Sequence, residues 1–337
     1  MSELRRDPII GQWVIVHKED SLGPESYEKQ DQTPRHAATC QFCPGREHQT
    51  PPEVDAIRDK GSAANTPNWQ VRVVPNKFPA LKIEGTLDER TDGLFDMSNG
   101  IGAHEVLIET PEHEKNIAEY TQKEVSNVIK QYQSRIIDLT GDKRFKYILV
   151  FKNYGESAGT SVEHAHSQII ALPMIPKYVA EKIEGAGVYY DKHQRCVFCD
   201  MIKQEYEDQK RILTENDDFI AFCPFVPRYA FEFWIMPKRH DSRFTTIDGN
   251  VRESLAMILK ETLMRLKICL SDPSYNFYLH NAPVNADDEQ AFHWHIEVVP
   301  KLTRTTGFEW GTGFYVVRTS PEAAAGYLRD AEYPATV

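Results

Sequence analysis

The chain has 337 residues, of which 41% are hydrophobic and 26% charged, and its formal net charge is −11. A chain of this size can bury a large core, and it predicts two domains or two fused halves. The negative charge excludes a dedicated nucleic-acid binder, which needs cationic patches, but not a small phosphorylated ligand at a local site. No apolar run approaches a membrane span and the first residues lack an apolar signal segment, so we expect a cytoplasmic protein without a membrane partner.

The first half of the chain contains a regular series of predicted strands and one clear helix. Thr121 and Glu124 form a capping box, and apolar residues then recur at helical spacing, which predicts an amphipathic helix over 122–139. The predicted strands cover 13–16, 71–74, 105–109, 147–151 and 162–172, and the predicted loops cover 17–39, 46–68 and 85–100. Alternate residues of a strand share one face, so His164, His166 and Gln168 are expected to lie in a row.

The second half repeats this pattern after a polar connector over 177–194 that is expected to be partly helical. Strands are predicted at 219–222, 231–236, 275–279 and 292–300, and a helix at about 249–270. The second Cys-x-x-Cys follows the first by 156 residues. Later in each half the offset is nearly constant: His240 follows His113 by 127 residues and Asn281 follows Asn153 by 128. The offset is 129 for the pairs His164 and His293, His166 and His295, and Gln168 and Glu297. This ordered series indicates an internal duplication, with halves at 1–176 and 177–337.

Each half carries two thiols and two imidazoles that are suited to tetrahedral zinc. The two predicted ligand sets are Cys40, Cys43, His113 and His164 in the first half, and Cys196, Cys199, His240 and His293 in the second. Closed four-ligand sites of this kind are structural, and we expect one zinc ion and allow for two. Three alternatives stay open: ordinary core cysteines, one site that joins all four cysteines, and a redox role, although neither motif opens an evident helix.

If His164 binds metal, His166 is the free imidazole of the pair and could act as a general base or a nucleophile. The residues around it favour attack on phosphorus, because Asn153, Gly159, Thr160 and Ser161 offer donors for phosphate oxygens. Gln168 is a neutral donor that could bond the phosphoryl group in the transition state. Taken alone, His166 would be interpreted as an ordinary hydrogen-bonded histidine of a strand. The Gly-Thr-Ser loop and Gln168 beside it favour the interpretation as a nucleophile instead.

Seven segments together resemble the galactose-1-phosphate uridylyltransferase family, the double-repeat arm of the histidine triad superfamily. They span nearly the whole chain: R-R-D-P-x-x-G-x-W-V at 5–14, C-x-x-C at 40–43, P-N-K-F-P-A-L at 75–81, P-E-H at 111–113, F-x-N-x-G at 151–155, G-T-S-x-x-H-x-H-x-Q at 159–168 and H-W-H at 293–295. The resemblance implies an α+β fold of two fused histidine-triad-like repeats, each an antiparallel half-barrel sheet with helices, usually paired as a homodimer.

The resemblance also implies a ping-pong reaction through a covalent nucleotidyl-histidine, with UDP-glucose as donor and a hexose 1-phosphate as acceptor. His166 matches the nucleophile, and Gln168 matches the glutamine that favours transfer over hydrolysis. Asn76, Asn153 and Ser161 match positions that contact nucleotide or phosphate. Cys40, Cys43, His113 and His164 match the family's zinc ligands.

Three features depart from the galactose enzymes. Ala165 replaces the proline of their H-P-H motif, which the chemistry does not need. The segment F-E-W-G-T-G-F-Y-V-V lacks the lysine and glutamine that hold the hexose phosphate, and the second half keeps a Cys-x-x-Cys with His240 and His293 where many galactose enzymes bind iron. The last two features are similar to ADP-glucose phosphorylase, in which phosphate is the acceptor. A zinc-stabilised nucleotide-binding protein without turnover is the non-enzymatic alternative.

Overall fold

The computed structural model describes residues 2–30, 32, 37–284 and 290–333. Its secondary structure comprises strands grouped into sheets, and helices that lie between or after them. The strands are β1 (Ser2–Arg6), β2 (Trp13–His17), β3 (Asp55–Arg58), β4 (Trp69–Pro75), β5 (Arg90–Asp92), β6 (Phe95–Met97), β7 (Ala103–Ile108), β8 (Tyr147–Tyr154), β9 (His166–Leu172), β10 (Ile212–Glu215), β11 (Phe219–Phe222), β12 (Phe233–Pro237), β13 (Tyr275–His280), β14 (His295–Pro300) and β15 (Tyr315–Val317). The helices are α1 (Gln122–Leu139), α2 (Lys177–His193), α3 (Val197–Asp208), α4 (Gly249–Leu270), α5 (Gly307–Thr312) and α6 (Pro321–Asp330).

Ten strands form one antiparallel sheet in the order β10-β11-β12-β14-β13-β8-β9-β7-β4-β3. Five consecutive positions come from each half of the chain, and the halves meet where β8 pairs with β13, with Asn153 opposite Asn276. The predicted α+β class with antiparallel sheets is confirmed. The two predicted half-sheets are continuous with each other, so residues of the second half reach the neighbourhood of the first.

The long helices α1 and α4 cover one face of this sheet and form the main core with it. The capping box at Thr121 and Glu124 starts α1 as predicted, and Asp248 caps α4 by accepting bonds from the backbone of Asn250 and Val251. Fully burying an aliphatic side chain contributes about 1.5–3 kcal/mol relative to exposure, and such residues line the inner faces of both helices. The opposite face of the sheet carries the two cysteine motifs with smaller apolar clusters.

Two smaller sheets lie outside this arrangement. β1, β2 and β15 form a three-stranded sheet that joins the two ends of the chain, and β5 with β6 forms a hairpin. The hairpin falls within the predicted loop 85–100, and β3 falls within the predicted loop 46–68, so both predictions were wrong there. These strands have only three or four residues each, which is too few for a strand period to stand out from the surrounding polar sequence. Residues 31 and 33–36 of the predicted loop 17–39 lie outside the described residues. No helix that the structure describes is long and apolar enough to cross a lipid bilayer.

The strands that carry the two histidine motifs begin later than predicted. β9 starts at His166 and β14 at His295, so His164 and His293 precede their strands. The prediction that His164, His166 and Gln168 lie in a row on one strand face is therefore wrong for His164. The His164 ring turns toward the cysteines instead, where its two nitrogens find partners.

Two further details correct the sequence analysis. Cys196 is the N-cap of α3, so the second Cys-x-x-Cys does open a helix. Phe151 lies opposite Gln168 and Tyr278 opposite Glu297, so β8 and β13 are related by a shift of 127 residues (278 − 151). With this shift the position of Asn153 corresponds to His280, and the predicted match with Asn281 is off by one residue.

Candidate active site and metal centres

The first cysteine motif and its two predicted histidines meet on the face of the sheet that α1 does not cover. One ligand atom from each of the four residues lies within 4.8 Å of the other three. The Nδ1 of His164 lies 3.7 Å from the sulfur of Cys40 and 3.6 Å from that of Cys43, and the Nδ1 of His113 lies 3.4 Å from Cys43. The edges of a tetrahedron around zinc would measure about 3.3–3.8 Å for Zn–N and Zn–S bonds of about 2.0 and 2.3 Å. The four groups therefore fit one tetrahedral cation.

The protonation of these groups suits a cation as well. The Nε2 of His164 donates to the carbonyl of Thr110 at 2.7 Å, which leaves Nδ1 as the unprotonated nitrogen that faces the sulfurs. Burial lowers the pKa of His164 to about 4, so its imidazole is neutral. Burial, with the neighbouring Cys40, raises the pKa of the Cys43 thiol to about 11. A divalent cation would supply the positive charge that lets these thiols ionise.

The second predicted ligand set forms a matching cluster. Its four ligand atoms also lie within 4.8 Å of one another, with the Nδ1 of His240 at 3.4 Å and that of His293 at 3.6 Å from the sulfur of Cys199. The two clusters differ in which histidine lacks an outer partner: among the described residues, the buried Nε2 of His293 has none in the second cluster, and the buried Nε2 of His113 has none in the first. The joint site of all four cysteines is not what the structure forms.

Phe42, between the first two cysteines, links the metal cluster to His166. Its ring centroid lies 5.4 Å from that of His166 and 6.2 Å from that of His164, in edge-on contacts. Its backbone N–H donates to the sulfur of Cys40 at 3.3 Å. A group that fixes the two cysteines therefore also fixes the Phe42 ring against one side of the His166 ring.

His166 presents one nitrogen to the protein backbone and one to the site. Its Nδ1 lies 2.8 Å from the carbonyl of His164, and because a carbonyl accepts, Nδ1 carries the proton. Burial lowers the pKa of His166 below its usual value, so the ring is neutral. The Nε2 of His166 therefore carries a lone pair, which is the form that a nucleophile requires.

Side-chain amides near His166 have their oxygens bound by protein donors. Gln168 Oε1 lies 2.8 Å from His104 Nε2, and Asn153 Oδ1 accepts from Asn276 at 2.8 Å. Asn76 Oδ1 accepts from the backbone of Phe78 at 2.9 Å, and Asn76 Nδ2 lies 3.5 Å from Gln168 Oε1. This bonding leaves the NH2 groups of Gln168 and Asn153 to act as donors, which favours a ligand rich in acceptor oxygens.

The loop before β9 depends on glycine. Gly155 has a φ of 81°, and a Cβ there would lie 2.1 Å from the hydroxyl oxygen of Ser274, so only glycine fits. Gly159 has a φ of 89° in the same loop. Thr160 and Ser161 line a cavity of about 580 Å³ beside Cys40 and His113, whereas His166 and Gln168 are not among the described residues that line it. The structure thus brings Asn76 and Gln168 together and places Thr160 and Ser161 toward the metal cluster.

A buried charged network lies beneath His166 on the core face. Lys152 Nζ lies 2.7 Å from the carboxylate of Glu109 and donates to the carbonyl of His166 at 3.2 Å. Ser167 donates to Glu109, and the hydroxyl of Tyr132 lies 2.6 Å from that of Ser167. The network therefore holds the backbone of the residue whose imidazole faces the site.

Among the described residues of the second half, the counterpart of this site is closed by charged side chains. His295 and Glu297 occupy the positions of His166 and Gln168, but Lys182 of α2 and Arg228 both pair with the Glu297 carboxylate. Burial alone would raise the pKa of Glu297, yet Lys182, His280 and Arg228 hold it well below its usual value. His280, His295 and Glu297 have ligand atoms within 4.8 Å of one another, but the two cations already neutralise this carboxylate and disfavour a metal there.

Sequence reasoning missed the residues that support the site rather than form it. Lys152 is a charge within an apolar strand and Glu109 directly follows one, which is a signal of a buried pair that could have been used. Asn276 is likewise a polar residue inside an apolar strand. His104 and Phe42 carry no such signal, because their roles follow from contacts across the sheet and the cysteine loop.

The sheet and its two matched halves define a double-repeat α+β protein with a Cys2His2 cluster in each half. The chain belongs to the galactose-1-phosphate uridylyltransferase family: the family models "Galactose-1-phosphate uridyl transferase, N-terminal domain" and "C-terminal domain" match residues 1–176 and 179–314. Its relatives carry the names of nucleotidyltransferases and of a phosphorylase.

The relatives match over nearly their full length. The chain is 33% identical to the ADP-glucose phosphorylase of Arabidopsis thaliana, over 97% of this chain and 92% of that protein. It is 28% identical to the galactose-1-phosphate uridylyltransferase of Thermotoga maritima, over 98% of this chain and 99% of that one. The crystal structure of an Arabidopsis thaliana ADP-glucose phosphorylase with bound ADP-glucose is similar, with a TM-score of 0.83, 32% identity, and coverage of 99% of this chain and 100% of that one.

Proposed function

We propose that this protein transfers a nucleotidyl group from a nucleoside diphosphate sugar through a covalent intermediate on His166. The observation that carries the proposal is the state of the His166 ring, whose Nδ1 proton is held by the His164 carbonyl while Nε2 faces the site unprotonated. The amide oxygens of Gln168 and Asn153 face donors of the protein, so the NH2 groups of these two side chains point the other way. The NH2 groups could therefore bond the oxygens of the α-phosphate.

The transfer has two steps. The first forms the bond between His166 and phosphorus, and the second breaks it with a different oxygen as nucleophile. In the first, His166 Nε2 attacks the α-phosphorus, and the bond from that phosphorus to the bridging oxygen breaks. The sugar 1-phosphate leaves with the electron pair. In the second, an oxygen of the acceptor phosphate attacks the same phosphorus, and Nε2 leaves with its lone pair restored. The Nδ1 bond to the His164 carbonyl stabilises the positive charge that the imidazole carries between the steps.

For the substrates, we propose UDP-glucose as donor and a hexose 1-phosphate such as galactose 1-phosphate as acceptor, in line with the family. One observation favours a second candidate, adenylyl transfer from ADP-glucose to inorganic phosphate: the 33% identity with a plant ADP-glucose phosphorylase exceeds the 28% with the Thermotoga maritima enzyme. Both candidates use the same His166 chemistry.

A donor and acceptor panel tests the proposal. UDP-glucose and ADP-glucose are each incubated with the protein and labelled glucose 1-phosphate, without any other acceptor. We expect label to enter one of the donors, because a ping-pong enzyme exchanges its first product alone. Galactose 1-phosphate and inorganic phosphate are then compared as acceptors. Absence of exchange and of turnover with both donors would leave a zinc-stabilised nucleotide-binding protein as the remaining alternative.

We further propose that both Cys2His2 clusters bind zinc and that the ions are structural. With four protein ligands in each cluster, a bound ion has no open position for a substrate. Bound zinc would contribute the charge that keeps the thiols ionised and the cysteine loops fixed. In the first half, Cys40 and Cys43 would then hold Phe42 against His166.

We expect elemental analysis to find two zinc ions per chain, and one after either Cys40→Ser or Cys196→Ser. Each variant should keep the ion of the intact cluster, because the two ligand sets share no residue.

Cys269→Ser is the matched control, because Cys269 is a partly buried thiol outside both clusters. It should keep two zinc ions. Two zinc ions in either ligand variant, or fewer than two in Cys269→Ser protein, would contradict the assignment.

The homodimer, the cytoplasmic location and the division of the chain at 176/177 stay predictions. The two family models meet between residues 176 and 179, which supports the division that we propose. Light scattering on the purified protein measures its oligomeric state directly.

A further inference from the structure

His104 is a half-buried histidine on β7 that no motif of the sequence singled out. It pairs with Ile170 across the sheet, and Val106 pairs with Gln168, so the His104 side chain lies diagonal to Gln168 on the same face. Its Nε2 lies 2.8 Å from Gln168 Oε1. His104 is therefore in direct contact with a residue of the proposed site without being next to His166 in sequence or register.

The backbone determines which nitrogen of His104 carries the proton. The N–H of Ala80 lies 3.1 Å from His104 Nδ1, and a backbone N–H can only donate, so Nδ1 accepts. A neutral ring that accepts at Nδ1 is protonated at Nε2. The Nε2–H group then donates to Gln168 Oε1, and the other tautomer would set two N–H groups against each other at Ala80.

The loop that supplies Ala80 also orients Asn76. The Asn76 oxygen accepts from Phe78 N–H at 2.9 Å, so the Asn76 NH2 group lies on the side of His104 and Gln168, 3.2 Å from His104 Nε2. Because Nε2 is protonated, these two nitrogens are both donors that converge on Gln168 Oε1 and do not bond each other. The Asn76 NH2 group lies 3.5 Å from Gln168 Oε1, which gives that oxygen a second donor. Backbone amides of one loop thus decide the direction of two side-chain amides.

We propose that His104 is a positioning residue that fixes the amide of Gln168 with its NH2 group toward the phosphoryl oxygens. Without His104, the two orientations of the Gln168 amide become similar in energy, and one of them presents an oxygen to an oxyanion. No protein acceptor of Gln168 Nε2 is found within the described part of the chain. The inference rests on the proposed function, because it needs a phosphoryl group at this place.

The test is the rate at which the nucleotidyl group of a radiolabelled nucleotide sugar transfers to the protein in a single turnover. Removing a transition-state donor costs about 10²–10³-fold in rate, and we expect roughly 10–100-fold for His104→Ala, because the donor remains but loses its orientation. The concentration of nucleotide sugar that gives half the maximal rate should change little. His104→Gln, whose amide N–H can replace the Nε2 donor, should recover most of the loss.

Two comparisons separate positioning from a general loss of structure. In a Gln168→Ala background, His104→Ala should lower the rate less than about threefold, because the amide that it orients is gone. His193→Ala, at the exposed end of α2, is the histidine control and should label at the wild-type rate. Melting temperatures of the variants check the fold.

The inference is overturned if His104→Ala labels as fast as the wild type, or if its effect is equally large in the Gln168→Ala background. Equal losses in His104→Ala and His104→Gln at unchanged melting temperature would also overturn it. A wild-type protein that accepts no label from UDP-glucose or ADP-glucose is a different result, because it refutes the proposed function itself.

Discussion

His166→Ala is expected to lower the turnover of the nucleotide sugar by at least roughly 10⁴-fold, because it removes the imidazole on which the proposed covalent intermediate forms. The variant should stay folded. The side chain that it removes makes one hydrogen bond to the His164 carbonyl, and the strand itself is held by the neighbouring β7 and β8. Steady-state product formation and the melting temperature measure the two effects.

His295→Ala is the matched control from the second half, since His295 occupies the same position of the repeat and makes the same bond from Nδ1 to the carbonyl two residues earlier. It should keep covalent labelling, because Lys182 and Arg228 close that site. Comparable losses of labelling in both variants would argue against a division of roles between the halves.

Lys152→Met is expected to lower the free energy of unfolding by about 3–5 kcal/mol, since it leaves the Glu109 carboxylate buried without its counter-charge. Both side chains are almost wholly shielded from solvent, at 1% and 0% exposure. The Lys152 ammonium also donates to the carbonyl of His166, which would lose that partner. Denaturant unfolding monitored by fluorescence measures the change.

The double variant Glu109→Gln/Lys152→Met tests the cause of that loss. It removes the carboxylate's charge, so it should recover a large part of the stability that Lys152→Met loses. The second half shows that this part of the repeat can form a core without a buried ion pair. There, the apolar residues Leu279 and Ile296 lie opposite each other at the positions that Lys152 and Ser167 occupy in the first half. A single-variant cost below about 1 kcal/mol, within the range of a surface ion pair, would show that the buried network is not stabilising.

Local signals were sufficient for the long helices and the inner strands of the sheet. The helix over 122–139 was predicted with its observed bounds because a capping box and a 3.6-residue apolar period coincide there. The helix predicted at about 249–270 is α4. The apolar strands at 147–151 and 219–222 were also found. Edge strands and hairpins such as β3 and β5 were missed, because polar residues at a sheet edge resemble those of loops.

For the candidate site, the sequence predicted which residues come together but not how each of them is placed. Repeated Cys-x-x-Cys and His-x-His motifs predicted two groups of four ligands, and the structure brings each group together. The position of His164 before its strand was not foreseen, since strand periodicity gives no sign that a histidine turns aside toward cysteines 121 and 124 residues earlier in the chain.

Supporting contacts were out of reach of the sequence for a physical reason. Asn276 reaches Asn153 because β8 and β13 join the two halves into one sheet, and no local pattern specifies that pairing. Likewise, nothing in the segment 177–194 showed that Lys182 would occupy the second half's counterpart of the site. Such contacts depend on which strands become neighbours, and that is decided by the whole fold.

The most direct test of the account is to locate the nucleotidyl group on the protein. The wild type is mixed with UDP-glucose or ADP-glucose without acceptor, digested at alkaline pH, and its peptides are analysed by mass spectrometry. We predict one nucleotidyl group per chain, attached to His166, stable in alkali, labile in acid and absent from His166→Ala. An adduct on any other residue, or unmodified peptides with both donors while turnover continues, would contradict the covalent role of His166.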